Sequence, residues 1–186
     1  MSTGNNNCNN LILIGFASCG KTTVGRLAAA QLHLDFCDLD LEIESLLRRK
    51  QGTPLTCRQI YTNYGRDFFL DLEAESLSQF TGNNVVLATG GGAPLPERNQ
   101  VVLKRLGKII YLQADPAALL ERMQIKGLPA SLVDAPTVAR FMDCVKERHA
   151  VYSALANAII ATTGKEIQAV TSEVVTLYEQ YNRHII

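Results

Sequence analysis

The chain has 186 residues with 18 basic and 18 acidic side chains, so its formal net charge is zero. This length suits one domain with a sizeable core, and 47% apolar with 19% charged residues is ordinary for a soluble globular protein. The neutral balance argues against a nucleic-acid binder, which needs a basic stripe, but allows a positive pocket for a small anion. The five cysteines are scattered without a C-x-x-C pair, which indicates reduced thiols in a cytoplasm and no zinc site.

The start of the chain is polar, and it lacks the basic segment of a signal peptide. We expect residues 1–9 to be a disordered tail and residues 10–186 to form a single domain. The apolar run from Leu11 to Ile14 is far too short to span a membrane, so we expect no membrane partner. The small size and neutral charge are compatible with a monomer.

Short apolar runs alternate with helical patterns along the rest of the chain. The predicted strands are NLILIG, DFCDLD, NVVLAT, KIIYLQA and NAIIAT. The predicted helices are GKTTVGRLAAAQLHL, DLEIESLLRRK, LTCRQIYTNYG, RDFFLDLEAESLSQF, LPERNQVVLKRLG, DPAALLERMQ, TVARFMDCVKERHAVYSALA and KEIQAVTSEVVTLYEQY. This alternation predicts a parallel sheet covered by helices on both faces, and leaves the strand order open.

Two helix starts carry capping signals. Thr56, three residues before Gln59, has the pattern of a capping box. Asp115 is the expected N-cap of a helix with Pro116 at its first position. The segment IKGLPASLVDAP that follows this second helix is irregular.

The segment GFASCGKT, residues 15–22, fits the pattern G-x-x-x-x-G-K-[ST] between a strand and a helix, the context of a phosphate-binding loop. Its backbone N–H groups and the helix N-terminus would form an anion nest. Lys21 would bring a charge to the β- and γ-phosphates, and Thr22 would ligate Mg²⁺. The other predicted ATP contacts in this loop are Gly15, Ser18, Cys19, Gly20 and Thr23. Oxidation of Cys19 could block ATP, although a small residue tolerated there is the simpler interpretation.

The strand VVLAT ends in Thr89 instead of the aspartate of a Walker B strand, so a carboxylate for the metal must come from elsewhere. Asp38 and Asp40 follow the second strand, and alternation puts both on the same side of it. Parallel strands bring their carboxyl ends to one edge, beside the phosphate-binding loop. One aspartate can then hold Mg²⁺ through water while the other meets an acceptor hydroxyl. The alternative is that both cap the next helix.

Three consecutive glycines, Gly90 to Gly92, follow the third strand. They cost more conformational entropy than an ordinary turn requires, which predicts that another group approaches this backbone closely. The alternative is a flexible lead into the next helix.

The segments LILIGFASCGKTTVGRLAAAQLHLDFCDLD, VVLATGGGAP and KERHAVY together resemble the shikimate kinase family, over about Asn10 to Ile160. The resemblance implies ATP-dependent phosphorylation of the 3-hydroxyl of shikimate, a step toward aromatic amino acids. It implies a P-loop three-layer α/β/α fold with a five-stranded parallel sheet and a mobile lid at about residues 124–135. It also implies that the triple glycine meets the acceptor's hydroxyls, with the substrate ring in the space of any side chain on Gly91 or Gly92.

The resemblance further assigns roles to single residues. It gives catalysis to Asp40 and Lys21, metal binding to Thr22 and Asp38, stacking on adenine to Arg122, acceptor binding to Asp40, Glu73 and Gly90 to Gly92, and a grip on the shikimate carboxylate to Arg148. Taken alone, Arg122 and Arg148 could equally be solvated helix residues.

Two positions depart from the family pattern. Leu70 stands where the family has a second arginine for the substrate carboxylate, and Leu128 stands where it has a lid arginine. Lys126 is a candidate substitute in the lid. Arg66 shares the helical face of Leu70, but helical side chains lean toward the N-terminus, so we expect it to reach away. A serine at Ser18, where glycine is usual, is small enough to be tolerated.

The sequence thus leaves three interpretations open. The chain is a divergent shikimate kinase, a kinase of another small hydroxylated acceptor, or a nucleotide-binding relative without catalysis. Asp40, Arg148 and the triple glycine favour the first, because a non-catalytic module needs none of them. Leu70 and Leu128 favour the other two.

Overall fold

A computed structural model describes residues 9–126 and 137–183. In this range, strands and helices alternate for most of the chain. The elements are β1 (Asn10–Ile14), α1 (Lys21–Leu32), β2 (Asp35–Asp38), α2 (Leu39–Gln51), α3 (Cys57–Ser78), β3 (Val85–Ala88), α4 (Glu97–Leu106), β4 (Gly107–Gln113), α5 (Pro116–Lys126), α6 (Val138–Leu155), β5 (Ala158–Ala161) and α7 (Ile167–Arg183). Each strand and helix predicted from the sequence is found near its expected position.

The five strands form one parallel sheet in the order β2-β3-β1-β4-β5. Every residue of β1 and β3 is buried. Since successive side chains of a strand point to opposite faces, both faces of the sheet centre are covered. The three-layer α/β/α architecture is therefore confirmed, and the buried apolar side chains form a single cluster around these strands.

Helix α3 consists of two halves that meet at Gly65, whose φ of 83° and ψ of 176° are not helical. The first half begins with the capping box expected from the sequence, since the Gln59 amide donates to the Thr56 side chain and the Thr56 amide donates to the Gln59 side chain. The two predicted helices on either side of Gly65 are thus present, with an abrupt change of direction between them.

Residues 1–8 of the predicted tail and most of the predicted lid, residues 127–135, lie outside the described residues. Asn9 is described, and its carbonyl accepts a 2.6 Å hydrogen bond from the Tyr178 hydroxyl. Leu128 also falls outside this range. Among the described residues, no helix combines the length and apolar character needed to cross a membrane.

Candidate active site

The phosphate-binding loop connects β1 to α1 and requires glycine at its first position. Gly15 has φ +146°, and a Cβ there would lie 2.5 Å from the carbonyl oxygen of Leu112 and 2.9 Å from Cys19 Sγ. Gly20 also has positive φ, at +106°, but its Cβ would meet only Val24 at 3.9 Å. Packing against β4 therefore demands glycine at Gly15, while backbone conformation alone favours it at Gly20.

Ser18 adopts the left-handed conformation with φ 64°. This explains why a glycine suits this position, and why serine is accommodated at some conformational cost. The Ser18 carbonyl accepts a 3.2 Å hydrogen bond from Arg122, which ties α5 to the loop. Arg122 is therefore next to the loop, and its stacking on adenine, which the family resemblance implied, stays a prediction.

The Lys21 ammonium is buried within the loop. It donates hydrogen bonds of 2.9 Å to the carbonyl oxygens of Gly15 and Phe16, and its side chain is 8% exposed. Its position gives the loop a concentrated positive charge beside the backbone N–H groups of the nest.

A cavity of about 220 Å³ opens beside Arg122 at the phosphate-binding loop. Ser18, Cys19, Gly20, Thr23 and Arg122 line it, as expected for nucleotide contacts. Thr162 and Lys165 line it as well. Both follow β5, and no sequence motif marks them, because they reach the loop only through the position of β5 at the sheet edge.

Thr22 and Asp38 meet at the carboxyl edge of the sheet. The Thr22 hydroxyl donates a 2.9 Å hydrogen bond to Asp38 Oδ2, and Asp38 Oδ1 accepts one of 3.1 Å from the Asp40 amide. Asp38 is thus the N-cap of α2 and also the hydrogen-bond partner of Thr22, so the capping interpretation is confirmed for Asp38 and its metal role stays a prediction.

These two residues fit a magnesium ion. A hydroxyl and a carboxylate are hard oxygen ligands, and Mg²⁺ is usually held by one or two protein oxygens together with phosphates and water. Among the described residues, no group of three His, Cys, Asp or Glu side chains is placed to hold a metal. A sparse site of this kind suits an ion that arrives with a nucleotide.

The structure shows a close approach at two of the three consecutive glycines. A Cβ on Gly90 would lie 2.9 Å from Asp40 Oδ1 and 3.5 Å from Glu73 Oε1. A Cβ on Gly91 would lie 3.1 Å from the Ala17 amide nitrogen, so this residue approaches the phosphate-binding loop. Gly92 has open space around it. The approach to the loop is thus one reason for glycine at Gly91, and the expected conflict of a side chain on Gly91 or Gly92 with a substrate ring stays a prediction.

Gly90 to Gly92 also line a cavity of about 640 Å³. Its other lining residues are Ala17, Asp40, Cys57, Arg58, Tyr61, Arg66, Phe69, Leu70, Glu73, Leu95, Pro96 and Arg148. The cavity brings together Asp40, Glu73 and Arg148, which are far apart in sequence, as the family resemblance implied. A volume of this size accommodates a small organic substrate.

Two carboxyl groups meet at the Gly90 end of the cavity, and both are difficult to ionise. Loss of hydration among the surrounding protein atoms raises the pKa of Asp40 to about 6 although the residue is exposed at the cavity surface, and the nearby charge of Asp38 adds to the shift while Lys21 opposes it. Burial raises the pKa of Glu73 to about 8, with a further contribution from Asp40. Glu73 Oε2 is buried without a hydrogen-bond partner in the described structure. At neutral pH, Asp40 is therefore ionised and Glu73 is mostly protonated.

Arg148 lies in the same cavity, with its guanidinium stacked 4.9 Å from the centre of the Phe16 ring. The side chain is 9% exposed. Tyr152, four residues later on α6, is fully buried and donates a hydrogen bond to the Gly91 carbonyl. The sequence analysis missed Tyr152, although its i+4 spacing from Arg148 placed it on the same helical face.

The departure at Leu70 is visible in the structure, because Leu70 contributes an apolar surface to the cavity wall. Arg66 also borders the cavity, although its side chain is 70% exposed, and the expectation that it reaches away stays a prediction. That expectation assumed a continuous helix, whereas the break at Gly65 makes Arg66 the first residue of the second half. Arg58, which the sequence analysis did not consider, lines the cavity too.

The phosphate-binding loop, the cavity beside Arg122 and the cavity that contains Asp40 and Arg148 thus lie at one edge of the parallel sheet. Together the fold and site define a P-loop kinase of small molecules. Residues 17–179 match the family model for shikimate kinase. The chain belongs to the shikimate kinase family.

Similar proteins cover nearly the whole chain. A shikimate kinase of Moorella thermoacetica is 36% identical over 166 residues, which are 89% of this chain and 91% of that protein. The structure of the Acinetobacter baumannii shikimate kinase in complex with shikimate superposes with a TM-score of 0.80, at 31% identity over 92% of this chain and 93% of the other. For the Bacteroides thetaiotaomicron shikimate kinase the TM-score is 0.76, at 27% identity over 91% and 98% of the two chains.

Proposed function

We propose that this protein transfers the γ-phosphoryl group of ATP to the 3-hydroxyl of shikimate, giving shikimate 3-phosphate for aromatic amino acid synthesis. The observation that carries the proposal is the acceptor cavity, which places the carboxylate of Asp40 against Gly90 and a buried arginine, Arg148, in one enclosure. Shikimate is a hydroxylated ring with one carboxylate, so it matches a site with one ionised acid and a separate cation. The similar A. baumannii enzyme is described in complex with shikimate.

On the nucleotide side, the phosphates would lie in the nest of residues 15–22, with Lys21 neutralising charge on the β- and γ-phosphates. Arg122 would stack on adenine. The hydrogen bond from Arg122 to the Ser18 carbonyl supports this placement, because it holds the arginine at the mouth of the loop. Together with Gly15, Cys19, Gly20 and Thr23, these residues hold the nucleotide with its γ-phosphate toward the acceptor cavity.

At the centre, Asp40 orients the attacking hydroxyl and accepts its proton. The hydroxyl oxygen forms a bond to the γ-phosphorus while the bond from phosphorus to the β–γ bridging oxygen breaks, in line with the attack. Glu73, mostly protonated at neutral pH because its pKa is about 8, keeps the inner end of the cavity at one negative charge. Such an arrangement leaves Asp40 as the single base.

Thr22 and Asp38 would hold Mg²⁺, with Asp38 acting through water. When bound, the ion supplies charge neutralisation for the transferred phosphoryl group. Their hydrogen bond and their hard oxygen atoms support the assignment.

A second candidate is phosphorylation of another small hydroxylated acceptor. Leu70 favours it, because an apolar side chain replaces a cation on the wall of the acceptor cavity. An acceptor without a carboxylate would lose less from this replacement than shikimate does. A catalytically weak nucleotide-binding protein is the remaining alternative, and the same assay separates all three.

The test is a coupled assay of ADP release with purified protein, MgATP and shikimate over a wide concentration range, alongside polyols that lack a carboxylate. We expect shikimate-dependent turnover and a phosphorylated product at the 3-position by NMR. Turnover with polyols but not with shikimate would select the second candidate. ATP binding without turnover on any acceptor would overturn the kinase proposal.

We further propose that the protein works as a cytoplasmic monomer that acts on small molecules and has no nucleic-acid or membrane partner. The scattered cysteines, of which Cys19, Cys37, Cys57 and Cys144 are free thiols in the structure, support a reducing compartment. Light scattering at assay concentrations tests the monomer, and cell fractionation tests the location.

A further inference from the structure

The acceptor cavity has a divided charge distribution. Asp40 and Glu73 lie at the inner end against Gly90, whereas the arginines that border the cavity are Arg58, Arg66 and Arg148. Arg148 forms no ion pair within 4.0 Å in the described part of the chain, whose ion pairs involve other residues. A buried guanidinium without a carboxylate partner is costly unless an anion joins it.

One guanidinium alone is a weak anchor for a carboxylate in a cavity of this size. A carboxylate has two oxygens and accepts several charge-assisted hydrogen bonds, so a second cation on the opposite wall adds both affinity and orientation. Leu70, on the wall formed by α3, offers none. The second cation must therefore come from another position on that wall.

Arg66 is placed for this role by the break in α3. At Gly65 the backbone has φ 83° and ψ 176°, and Arg66 begins the second half of the helix. A residue in the first turn has no preceding helical turn to clash with, so its side chain has rotamers that a residue in mid-helix lacks. Arg66 borders the cavity together with Phe69 and Leu70, the next residues on that face.

Arg66 is also weakly held elsewhere. Its Nη1 atom lies 3.9 Å from Asp67 Oδ1, and the two side chains are 70% and 95% exposed, so solvent screens this pair. Arg58 lines the cavity as well, but it already engages another group of the protein. Of the two, Arg66 can turn toward a bound anion at the smaller cost.

We infer that Arg66 is the second cation for the substrate carboxylate, acting across the cavity from Arg148. It would replace the family arginine whose position Leu70 occupies. The inference rests on the proposed function, because it assigns a residue to the carboxylate of shikimate. The substrate carboxylate would then be bound by the first residue after a helix break, whereas the family pattern binds it with an arginine one helical turn later.

Steady-state kinetics of Arg66→Ala tests the assignment. We expect the KM for shikimate to rise about 10- to 100-fold, as for loss of a charge-assisted contact, while the KM for ATP stays within about twofold. Arg66→Lys should recover part of the loss, because lysine restores the charge without the planar fork. Arg105→Ala, which removes an exposed arginine on α4 outside the cavity, is the matched control and should leave both KM values unchanged.

A neutral analogue makes the test specific for the carboxylate. Shikimyl alcohol, in which the carboxylate is reduced, should be a poor substrate of the native protein and should lose no more than about twofold in kcat/KM on Arg66→Ala. Equal losses on shikimate and on the alcohol would show that Arg66 shapes the cavity without binding the carboxylate, and would overturn the inference. A carboxylate-specific loss in Arg58→Ala with none in Arg66→Ala would overturn it as well.

The break itself provides a second variant. Gly65→Ala opposes positive φ, and an added Cβ at this position meets nothing within 4 Å, so any effect comes from backbone conformation. Gly52→Ala, at the end of α2, is a milder control, because φ 75° and ψ −7° lie near the left-handed helical region and an added Cβ meets nothing within 4 Å. We expect Gly65→Ala to lose more stability than Gly52→Ala, because φ 83° with ψ 176° is a conformation that only glycine adopts readily, and we expect only Gly65→Ala to raise the KM for shikimate. An unchanged KM in Gly65→Ala would contradict the inference, whereas absence of turnover in the native protein would contradict the proposed function.

Discussion

The two sides of the catalytic edge are built in different ways. The nucleotide side consists mainly of backbone, since the loop of residues 15–22 presents its N–H groups and bends at Gly15 and Gly20. The acceptor side consists of side chains from elements distant in sequence, with Asp40 after β2, Glu73 on α3 and Arg148 on α6. A site formed by backbone groups depends on a few glycines and one lysine at fixed positions. In a site formed by side chains, a neighbouring residue can take over the role of one that is replaced. We therefore expect departures from the family pattern to collect on the acceptor side, where Leu70 and Arg66 lie.

The two sides also differ in whether their charged groups have hydrogen-bond partners within the protein. Lys21 lies in the loop, where its ammonium bonds to two carbonyl oxygens. On the acceptor side, loss of hydration raises the pKa of both Asp40 and Glu73, and one Glu73 oxygen has no hydrogen-bond partner in the described structure. The nucleotide side is thus satisfied by its own backbone, while the acceptor side has polar groups that a substrate would complete.

The largest expected effect separates catalysis from nucleotide binding. Asp40→Asn should lower kcat by about 10²- to 10⁴-fold, because it removes the base, while the Kd for ATP stays within about twofold. Stopped-flow or coupled assays measure the first quantity and calorimetry the second. Asp35→Asn changes an exposed aspartate at the start of β2, the strand that precedes Asp40, and is the control that should retain full activity. Normal turnover of Asp40→Asn would remove Asp40 from the mechanism.

The next effect is a dependence of stability on pH between pH 5 and 8 that arises from Glu73 on the acceptor side. The folded pKa of Glu73, about 8, lies above its ordinary value of 4.5, so the folded state binds this proton more tightly than the unfolded state. The resulting stabilisation is fully present below pH 4.5 and is lost as the pH rises through 8. Glu73→Gln should therefore raise the free energy of unfolding at pH 8 by about 2–4 kcal/mol relative to the native protein, since one pKa unit corresponds to 1.36 kcal/mol.

Urea unfolding at pH 5 and pH 8, in chelator and without nucleotide, measures this difference. Glu121→Gln changes an exposed glutamate on α5 and should leave the pH dependence as in the native protein. If Glu73→Gln has the same free energy of unfolding as the native protein at pH 8, the destabilisation attributed to ionising this buried carboxyl is absent.

A smaller effect concerns the support of the triple glycine. Tyr152→Phe leaves the Gly91 carbonyl without its hydroxyl donor, and should lower the free energy of unfolding by about 1–3 kcal/mol. Because Gly91 lies between the cavity and the loop, we expect the KM for shikimate to rise several-fold with little change in the KM for ATP. Tyr178→Phe removes a comparable hydroxyl bond, to the Asn9 carbonyl, and should cost stability alone. Identical kinetics of the two variants would assign Tyr152 a purely structural role.

The smallest effect lies on the nucleotide side. Ser18→Gly relieves a non-glycine residue at φ 64°, and should change the free energy of unfolding by no more than about +1 kcal/mol, with unchanged kinetics. Thermal unfolding measures the change in stability, and the coupled ADP-release assay measures the kinetics. A large change in the KM for ATP would show that the Ser18 side chain, and not only its carbonyl, takes part in nucleotide binding.

The local features of this protein could be predicted from the sequence because they depend on neighbouring residues. The strand–glycine loop–helix unit, the capping box at Thr56 and the alternation of strands and helices follow from spacing and turn chemistry. The family resemblance then located Asp40, Glu73 and Arg148, and the structure brings all three to one cavity.

Tertiary structure decided what depends on distant elements. The order β2-β3-β1-β4-β5 sets which loops meet at the catalytic edge, and parallel strands of similar composition carry no local signal of it. The same holds for Tyr152, whose hydroxyl finds Gly91 only after α6 packs beside the loop. The expectation for Arg66 assumed a continuous helix, whereas the glycine conformation at Gly65 breaks α3 immediately before this residue. Sequence determined the chemical parts of this site, and packing decided which of them face the same cavity.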